Sequence, residues 1–240
     1  MKKPTFYVLG EGALTVSFGD YINIDYSKQV FQLYHRLSQY EQKFWLDLIP
    51  AYTTLTIVYE PLSIEYESPS AWVRKYIEEL LESESRHIPM LTRHVTIPVC
   101  YAIEFGLDSK RLCNERAISH EQLVELHTTI TYTVYMLGFL PGFPYMGSVD
   151  SRIATPRLTK PRTVVPAGSV GIAGEQTGIY PLDSPGGWNI IGRTPLKLFD
   201  ALREQPALLT PGDQVSFVPI SNEAFENFDA TTFNLVQHES

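Results

Sequence analysis

The chain has 240 residues, of which 44% are hydrophobic and 12% aromatic, which is enough apolar surface for one large or two modest domains. Its net charge of −8 and pI near 5.3 argue against a dedicated nucleic-acid binder, because such a protein needs a basic face. There is no membrane-length apolar run and no signal-peptide core, and Cys100 and Cys113 fit no metal or redox motif, so we expect a cytoplasmic protein with reduced thiols.

The N-terminal part predicts a sheet covered by two helices. Apolar residues recur at helical spacing after Asp25, the predicted N-cap, and again after Ser68. Alternating or β-branched segments predict strands at residues 5–9, 13–18, 44–49, 53–59 and 94–99. The order strand, helix, strand, strand, helix, strand is that of a ferredoxin-like, split βαβ domain. We therefore predict an α+β fold with domains at residues 1–98 and 99–240.

Past the predicted boundary, Ser119 and Gln122 form a capping-box pattern that predicts a helix at residues 120–129. A strand is predicted at 131–137. Residues 138–194 then hold ten of the fifteen glycines and seven of the seventeen prolines, interleaved with large apolar side chains. This mixture predicts short strands joined by tight turns. With more strands at 195–198 and 208–219, the second domain is predicted to be a mostly-β barrel, because closure removes exposed edges; the tail from Ser221 is predicted to be weakly structured.

Basic residues are concentrated in the same stretch, against the acidic background of the whole chain. Residues 138–194 contain five basic residues and three acidic ones, a balance of 5 − 3 = +2. The basic residues are Arg152, Arg157, Lys160, Arg162 and Arg193. They could recognise a planar carboxylate or phosphate, or brace loops by donating to backbone carbonyls, and the sequence favours neither alternative.

The sequence contains no recognisable self-sufficient catalytic machinery. There is no phosphate-binding glycine loop, no metal site, no Cys-His pair and no pair of carboxylates. Ser169 lies in a pattern close to the nucleophile elbow, but the α/β-hydrolase context is missing, so a structural turn is the preferred interpretation. The residues that remain predict a binding surface that acts by itself or together with a partner.

An ordered series of motifs resembles the KipI family, which includes the B component of bacterial 5-oxoprolinase and proteins labelled allophanate hydrolase subunit 1. The motifs are GFLPGF at 138–143, TPR at 155–157, PR at 161–162, VPAGSV at 165–170, PGGW at 185–188 and GRTP at 192–195. The resemblance covers residues 5–220. It implies a small α+β domain followed by a cyclophilin-like β-barrel.

The resemblance also implies a heteromer with two partner chains, one KipA-like and one LamB/YcsF-like. Such a complex opens 5-oxoproline to glutamate at the expense of ATP, with no cofactor expected to bind tightly to this chain. Three hypotheses follow: a component of 5-oxoprolinase, a KipI-type inhibitor of a sporulation histidine kinase with Phe139, Phe143 and Tyr145 as its contact, or a component of an enzyme for allophanate or urea. No nucleic acid or membrane partner is expected.

For the enzyme hypothesis, side-chain chemistry predicts the site residues. His127, Arg193, Tyr180 and Gln176 are the candidate catalytic residues, with His127 a proton shuttle near neutral pH. His127 also lies on the predicted buried stripe of its helix, so it could instead be a hydrogen-bonded core residue. Arg157 and Arg162, together with Arg193, are candidate partners for the anion of a small-molecule substrate, and Trp188 is the predicted apolar wall.

Overall fold

A computed structural model describes residues 3–39, 44–83 and 93–230 and the backbone of residues 236–238. The chain divides into two units, Met1–Met90 and Leu91–Ser240. Both combine helices with β-strands, so the chain has a mixed α/β structure. Each unit has a hydrophobic core of its own.

The first unit is a four-stranded antiparallel sheet with two helices packed against it. Its elements are β1 (Thr5–Val8), β2 (Ala13–Ser17), α1 (Ile24–Gln39), β3 (Trp45–Pro50), β4 (Thr54–Tyr59) and α2 (Pro69–Glu82). The strand order is β1-β2-β4-β3. Both helices begin close to the predicted positions, but Asn23 rather than Asp25 lies before α1, and its Oδ1 accepts from the Asp25 amide at 2.7 Å. Ser68 caps α2 as predicted.

The strand predicted at 94–99 forms, but not in the first unit. This strand, β5 (Arg93–Val99), is buried at Val95, Ile97 and Val99 and lies in the sheet of the second unit. The prediction that it completes the N-terminal domain is therefore wrong, and a ferredoxin-like arrangement is not confirmed. Hydrophobic alternation predicts that a segment is a strand, but it does not predict which other strand that segment pairs with.

The second unit is built on an eight-stranded curled sheet and a two-stranded ribbon. Its elements after β5 are α3 (Ser109–Arg116), α4 (His120–Thr128), β6 (Thr131–Leu137), β7 (Pro144–Gly147), β8 (Arg162–Val165), β9 (Ser169–Ala173), β10 (Gln176–Ile179), β11 (Ser184–Gly186), β12 (Asn189–Arg193), β13 (Gln214–Pro219), α5 (Asn222–Glu226) and β14 (Val236–His238). The sheet order is β12-β9-β10-β7-β6-β13-β5-β14, and β8 pairs with β11 in the ribbon.

The curl of the large sheet brings its distant strands back together. An antiparallel bridge joins Cys100, just after β5, to Arg193 at the end of β12. Both backbone bonds of the bridge are formed, at 2.8 and 2.9 Å. The Gly/Pro-rich stretch supplies six of the strands, β7 to β12, so its interpretation as a strand-and-turn framework is confirmed.

Of the three helices that the described residues of this unit form, only α4 was predicted. Ser119 and Gln122 form the predicted capping box at the start of α4. The mostly polar α3 was not predicted, because it buries only one side of a short helix. The tail from Ser221 was predicted to be weakly structured, but it includes α5, capped by Ser221, and β14; its residues 231–235 and 239–240 lie outside the described residues. None of the helices in the described segments is both long and apolar enough for a membrane span.

A small aromatic cluster lies apart from the main core of the second unit. Its buried members are Phe143, Val165, Ala173, Tyr180, Trp188 and Ile190. Leu140 and Tyr145 pack against it while half-buried. These residues come from the sheet, the ribbon and the loops between them, so the cluster joins the ribbon to the sheet.

Candidate functional site

An open cavity of about 260 Å³ adjoins the aromatic cluster. It is lined by Phe139, Tyr145, Arg157, Leu158, Pro161, Tyr180, Pro185, Gly186, Gly187 and Trp188. Three of the predicted site residues, Arg157, Tyr180 and Trp188, therefore meet at one place. All ten lining residues belong to the Gly/Pro-rich stretch.

The cavity has aromatic walls in fixed edge-to-face packing. The Phe143 ring lies 5.1 Å from that of Tyr180 and 5.3 Å from that of Trp188, at interplanar angles of 86° and 82°. Gly186 makes this packing possible, because a Cβ there would lie 2.3 Å from the Tyr180 hydroxyl oxygen. Burial raises the pKa of Tyr180 above its usual value of 10.0, so its phenol is neutral at pH 7 and can donate a hydrogen bond.

Arg157 is exposed and is the one charged residue of the lining. Its guanidinium carbon lies 5.9 Å from the centre of the Trp188 ring, and no carboxylate pairs with it among the described residues. The backbone around it is held at three points. Thr155 bridges to Gly174, the side-chain amide of Asn189 donates to the Pro156 carbonyl at 2.9 Å, and the backbone amide of Leu158 donates to the Gly187 carbonyl at 2.7 Å.

This arrangement gives Arg157 two properties of an anion-binding group. Its planar guanidinium can donate two parallel hydrogen bonds to a carboxylate. Since its backbone is already fixed, little backbone ordering remains to be done on binding. The positive charge of Arg157 also acts on Tyr145: burial raises the pKa of Tyr145, and the charge of Arg157 opposes that rise.

The other two predicted anion-binding arginines brace the fold. Arg162 Nη2 donates to Asp108 Oδ1 at 2.7 Å. Arg193 Nε donates to the Ala167 carbonyl at 2.8 Å. Neither lines the cavity. Arg193 fits the alternative of donating to a backbone carbonyl, whereas Arg162 pairs with a carboxylate of the chain itself. Of the three arginines, only Arg157 lies on the cavity lining.

Asp108 is a structural residue that sequence reasoning missed. Its carboxylate is buried, and besides Arg162 it accepts a hydrogen bond from the Ile190 amide at 2.7 Å and lies 3.6 Å from Arg111. Asp108 thereby ties α3 and the ribbon to β12. No motif surrounds it in the sequence, so only the fold reveals its partners.

Gln176 and Tyr180 are separated by the length of a strand. Gln176 begins β10, and Tyr180 follows its last residue; four residues at ~3.3 Å each amount to roughly 13 Å. Gln176 is half-buried and does not line the cavity. The structure therefore does not bring it into the site with Tyr180 and Trp188.

His127 is fully buried, with both ring nitrogens hydrogen-bonded. Nδ1 lies 2.7 Å from the Tyr101 hydroxyl and Nε2 lies 2.9 Å from the Thr177 hydroxyl. Burial lowers the pKa of His127 from 6.5 to about 3, so the ring is neutral near pH 7. This placement does not support the predicted proton shuttle, and it agrees with the alternative of a core histidine.

A pH experiment can check the buried state of His127. Because the pKa of His127 is 6.5 when exposed and about 3 in the folded chain, the unfolded chain binds the additional proton between these values. His127 therefore makes stability fall as pH falls below 6.5, by up to about 1.4 kcal/mol per pH unit. Urea unfolding of the wild type and His127→Gln at pH 7, 6 and 5 should show this extra slope only in the wild type. Parallel slopes would contradict the assignment.

Phe139 is a lining residue that the sequence did not single out for this site. Its side chain is 61% exposed, and its backbone has φ +66°. A left-handed conformation costs about 1–2 kcal/mol for a residue with a Cβ. Glycines lie nearby at 138 and 142, and the turn takes its positive φ at Gly142 as well as at Phe139. The glycines signal a tight turn, but not that a phenylalanine adopts this conformation.

The predicted kinase contact is only partly exposed. Phe143 is 1% exposed and belongs to the aromatic cluster, and Tyr145 is half-buried. Of the three residues, Phe139 alone is available for a large apolar contact. The hypothesis that all three form such a surface is therefore wrong in this arrangement.

Neither a metal cluster nor Ser169 forms a further site in the part of the chain that the structure describes. No group of three or more His, Cys, Asp or Glu residues there could hold a metal ion. Ser169, close to a nucleophile-elbow pattern, is buried in β9. Cys100 and Cys113 are both buried and free. The cavity, as a candidate binding site, therefore has no nucleophile and base among its lining residues.

Comparison with known proteins places the chain in a wider group. Residues 4–209 match the family described as carboxyltransferase domain, subdomain C and D. The chain is 43% identical over 230 residues to the B component of 5-oxoprolinase from Bacillus subtilis (strain 168), covering 92% of this chain and 94% of the relative. It is 40% identical over 221 residues to the same component from Escherichia coli O157:H7, covering 91% of this chain and 97% of the relative.

A solved structure also shares the fold. The crystal structure of the Kluyveromyces lactis urea carboxylase matches with a TM-score of 0.71 at 19% identity, covering 98% of this chain and 24% of that protein. At this identity the likeness concerns the fold alone. The chain spans about a quarter of that enzyme and almost the full length of the two bacterial relatives.

Proposed function

The chain belongs to the carboxyltransferase domain family, subdomain C and D, and we propose that it is the B component of an ATP-dependent 5-oxoprolinase. Its similarity to the B components of two bacterial 5-oxoprolinases supports the proposal. The complex hydrolyses the lactam C–N bond of 5-oxoproline to give glutamate. Water supplies the hydroxyl on the carbonyl carbon and the proton on nitrogen. A KipA-like chain and a LamB/YcsF-like chain are the proposed partners.

The observation that carries the proposal is the 43% identity to a 5-oxoprolinase component over 94% of its length. The cavity supports it independently. One unpaired guanidinium above aromatic walls suits a small ring that carries one carboxylate. 5-Oxoproline is such a molecule, with a nearly planar amide ring and a single carboxylate.

The roles of the lining residues follow from their chemistry. Arg157 binds the carboxylate of the substrate, and Trp188 forms the apolar wall. The neutral Tyr180 phenol, next to Gly186, is a hydrogen-bond donor for a carbonyl oxygen. No nucleophile or base lines the cavity. The groups that activate the attacking water, or the acceptor of the phosphoryl group of ATP, therefore come from the partner chains.

ATP binding is assigned to the rest of the complex. A nucleoside triphosphate carries several negative charges, and proteins usually meet them with glycine-rich loops, cations and Mg²⁺. The cavity offers one cation, so it does not fit a triphosphate.

The proposal also includes a cytoplasmic location, which agrees with the free cysteines, and a cyclophilin-like barrel for the second unit.

Reconstitution tests the proposal directly. The chain is co-expressed with its KipA-like and LamB/YcsF-like partners, and glutamate and ADP are measured with 5-oxoproline and ATP present. We expect both products to form in equal amounts and to require all three chains. Full turnover from the two partners alone, or none from the complete assembly, would contradict the proposal. Urea and allophanate serve as comparison substrates, and neither is expected to be consumed.

A further inference from the structure

We infer that the cavity is selective for the ring-closed monocarboxylate over its open-chain dicarboxylate product, and that Phe139 determines this selectivity by closing the apolar side of the site. The inference rests on the proposed function. It gives a role to Phe139, a residue of the motif at 138–143 to which the reaction itself assigns none.

The first support is the position of the Phe139 ring. It lies on the cavity lining, with its ring 5.7 Å from that of Phe143 and 6.4 Å from that of Tyr180, each at 88°. It remains 61% exposed, whereas Tyr180 and Trp188 are almost completely buried. Phe139 therefore contributes apolar surface that only a ligand in the cavity, or a neighbouring molecule, would cover.

The second support is the backbone that holds this ring. The turn is fixed by three hydrogen bonds: Leu140 N to Gly138 O at 2.7 Å, Phe143 N to Leu140 O at 3.0 Å, and Gly138 N to Phe143 O at 3.1 Å. Within it Phe139 keeps φ +66°, a conformation that glycine would adopt without strain. Residues in strained backbone conformations cluster at functional sites, so the conformation of the exposed Phe139 supports a binding role.

The third support is the charge of the lining. Arg157 is its single charged residue, so the site can neutralise one carboxylate. Glutamate brings a second carboxylate and an ammonium group, which would lie against Phe139 and Trp188 without partners. Removing such charges from water without compensation is costly. The closed ring has neither group, so its apolar carbons can contact Phe139 while its carboxylate meets Arg157.

The test uses the assembled complex and three variants. Phe139→Gly removes the ring and suits the left-handed backbone, so the turn is retained. Phe139→Tyr keeps the ring. Leu202→Ala changes a side chain that is 95% exposed and outside the cavity. KM and kcat for 5-oxoproline, inhibition by glutamate, and co-purification of the three chains are measured for each.

We expect Phe139→Gly to raise KM for 5-oxoproline about tenfold, as loss of one aromatic wall implies, with kcat within about twofold and inhibition by glutamate nearly unchanged. Leu202→Ala should match the wild type, and Phe139→Tyr, which keeps the ring, should raise KM less than Phe139→Gly. An unaltered KM in Phe139→Gly overturns the inference, and so does loss of the complex in Phe139→Gly, which would make the residue an interface contact. An inactive wild-type complex would instead refute the proposed function.

Discussion

Replacing Arg157 with alanine is expected to lower kcat/KM for 5-oxoproline in the assembled complex by about 100-fold. A hydrogen bond to a charged group contributes about 1.5–3 kcal/mol, and a bidentate contact lies at the upper end of that range; each 1.4 kcal/mol corresponds to about tenfold. The loss is expected to be large because Arg157 is the only cation on the lining, so no neighbouring charge can replace it.

A matched arginine and a conservative substitution make the Arg157 experiment specific. Arg152 also lies in the Gly/Pro-rich stretch, but it is exposed, pairs with Asp150 at 2.7 Å and does not line the cavity, so Arg152→Ala should retain activity. Arg157→Lys keeps the charge without the planar fork and should recover only part of the loss. Similar activities of Arg157→Ala and Arg152→Ala in the assembled complex would remove Arg157 from the site.

The fold was predicted best where local sequence chemistry decides it. Capping residues located α2 and α4, and the mixture of Gly, Pro and large apolar residues identified a strand-and-turn framework rather than a linker. The error at β5 has a different origin. Its pairing with β13 joins residues about 120 positions apart in the chain, such as His94 with Gln214, and alternation within one strand contains no information about such a partner.

The site was predicted in composition more than in arrangement. Arg157 and Trp188 lie within the motifs, Tyr180 was predicted from its side-chain chemistry, and all three share one cavity. The motifs could not separate Arg157 from Arg162, because the difference is the buried carboxylate of Asp108, 54 residues earlier. Burial likewise leaves the catalytic prediction for His127 without support: the helical stripe that allowed a core histidine places the residue in the core.

Asp108→Ala is expected to be the most destabilising of the substitutions considered, by about 3–5 kcal/mol. The Asp108 side chain is 5% exposed. Its removal would leave the partly buried guanidinium of Arg162 without its charge partner and the Ile190 amide without its acceptor. One Arg162 nitrogen, Nη1, is already buried with no partner among the described residues, so the Asp108 contact is the main compensation for burying this charge.

Glu115 serves as the matched control for Asp108, because both carboxylates lie close to Arg111 but only Asp108 is buried. Glu115 also pairs with Arg111, at 2.8 Å, but its side chain is 51% exposed, so Glu115→Ala should cost about 0–1 kcal/mol. Urea unfolding of both variants and of Asp108→Asn, together with hydrogen exchange at the Ile190 amide, measures the effect. Asp108→Asn retains an acceptor for Ile190 but not the charge, and should fall between the wild type and Asp108→Ala. Equal costs for Asp108→Ala and Glu115→Ala would show that Arg162 and Ile190 find other partners, and that β12 does not depend on this carboxylate.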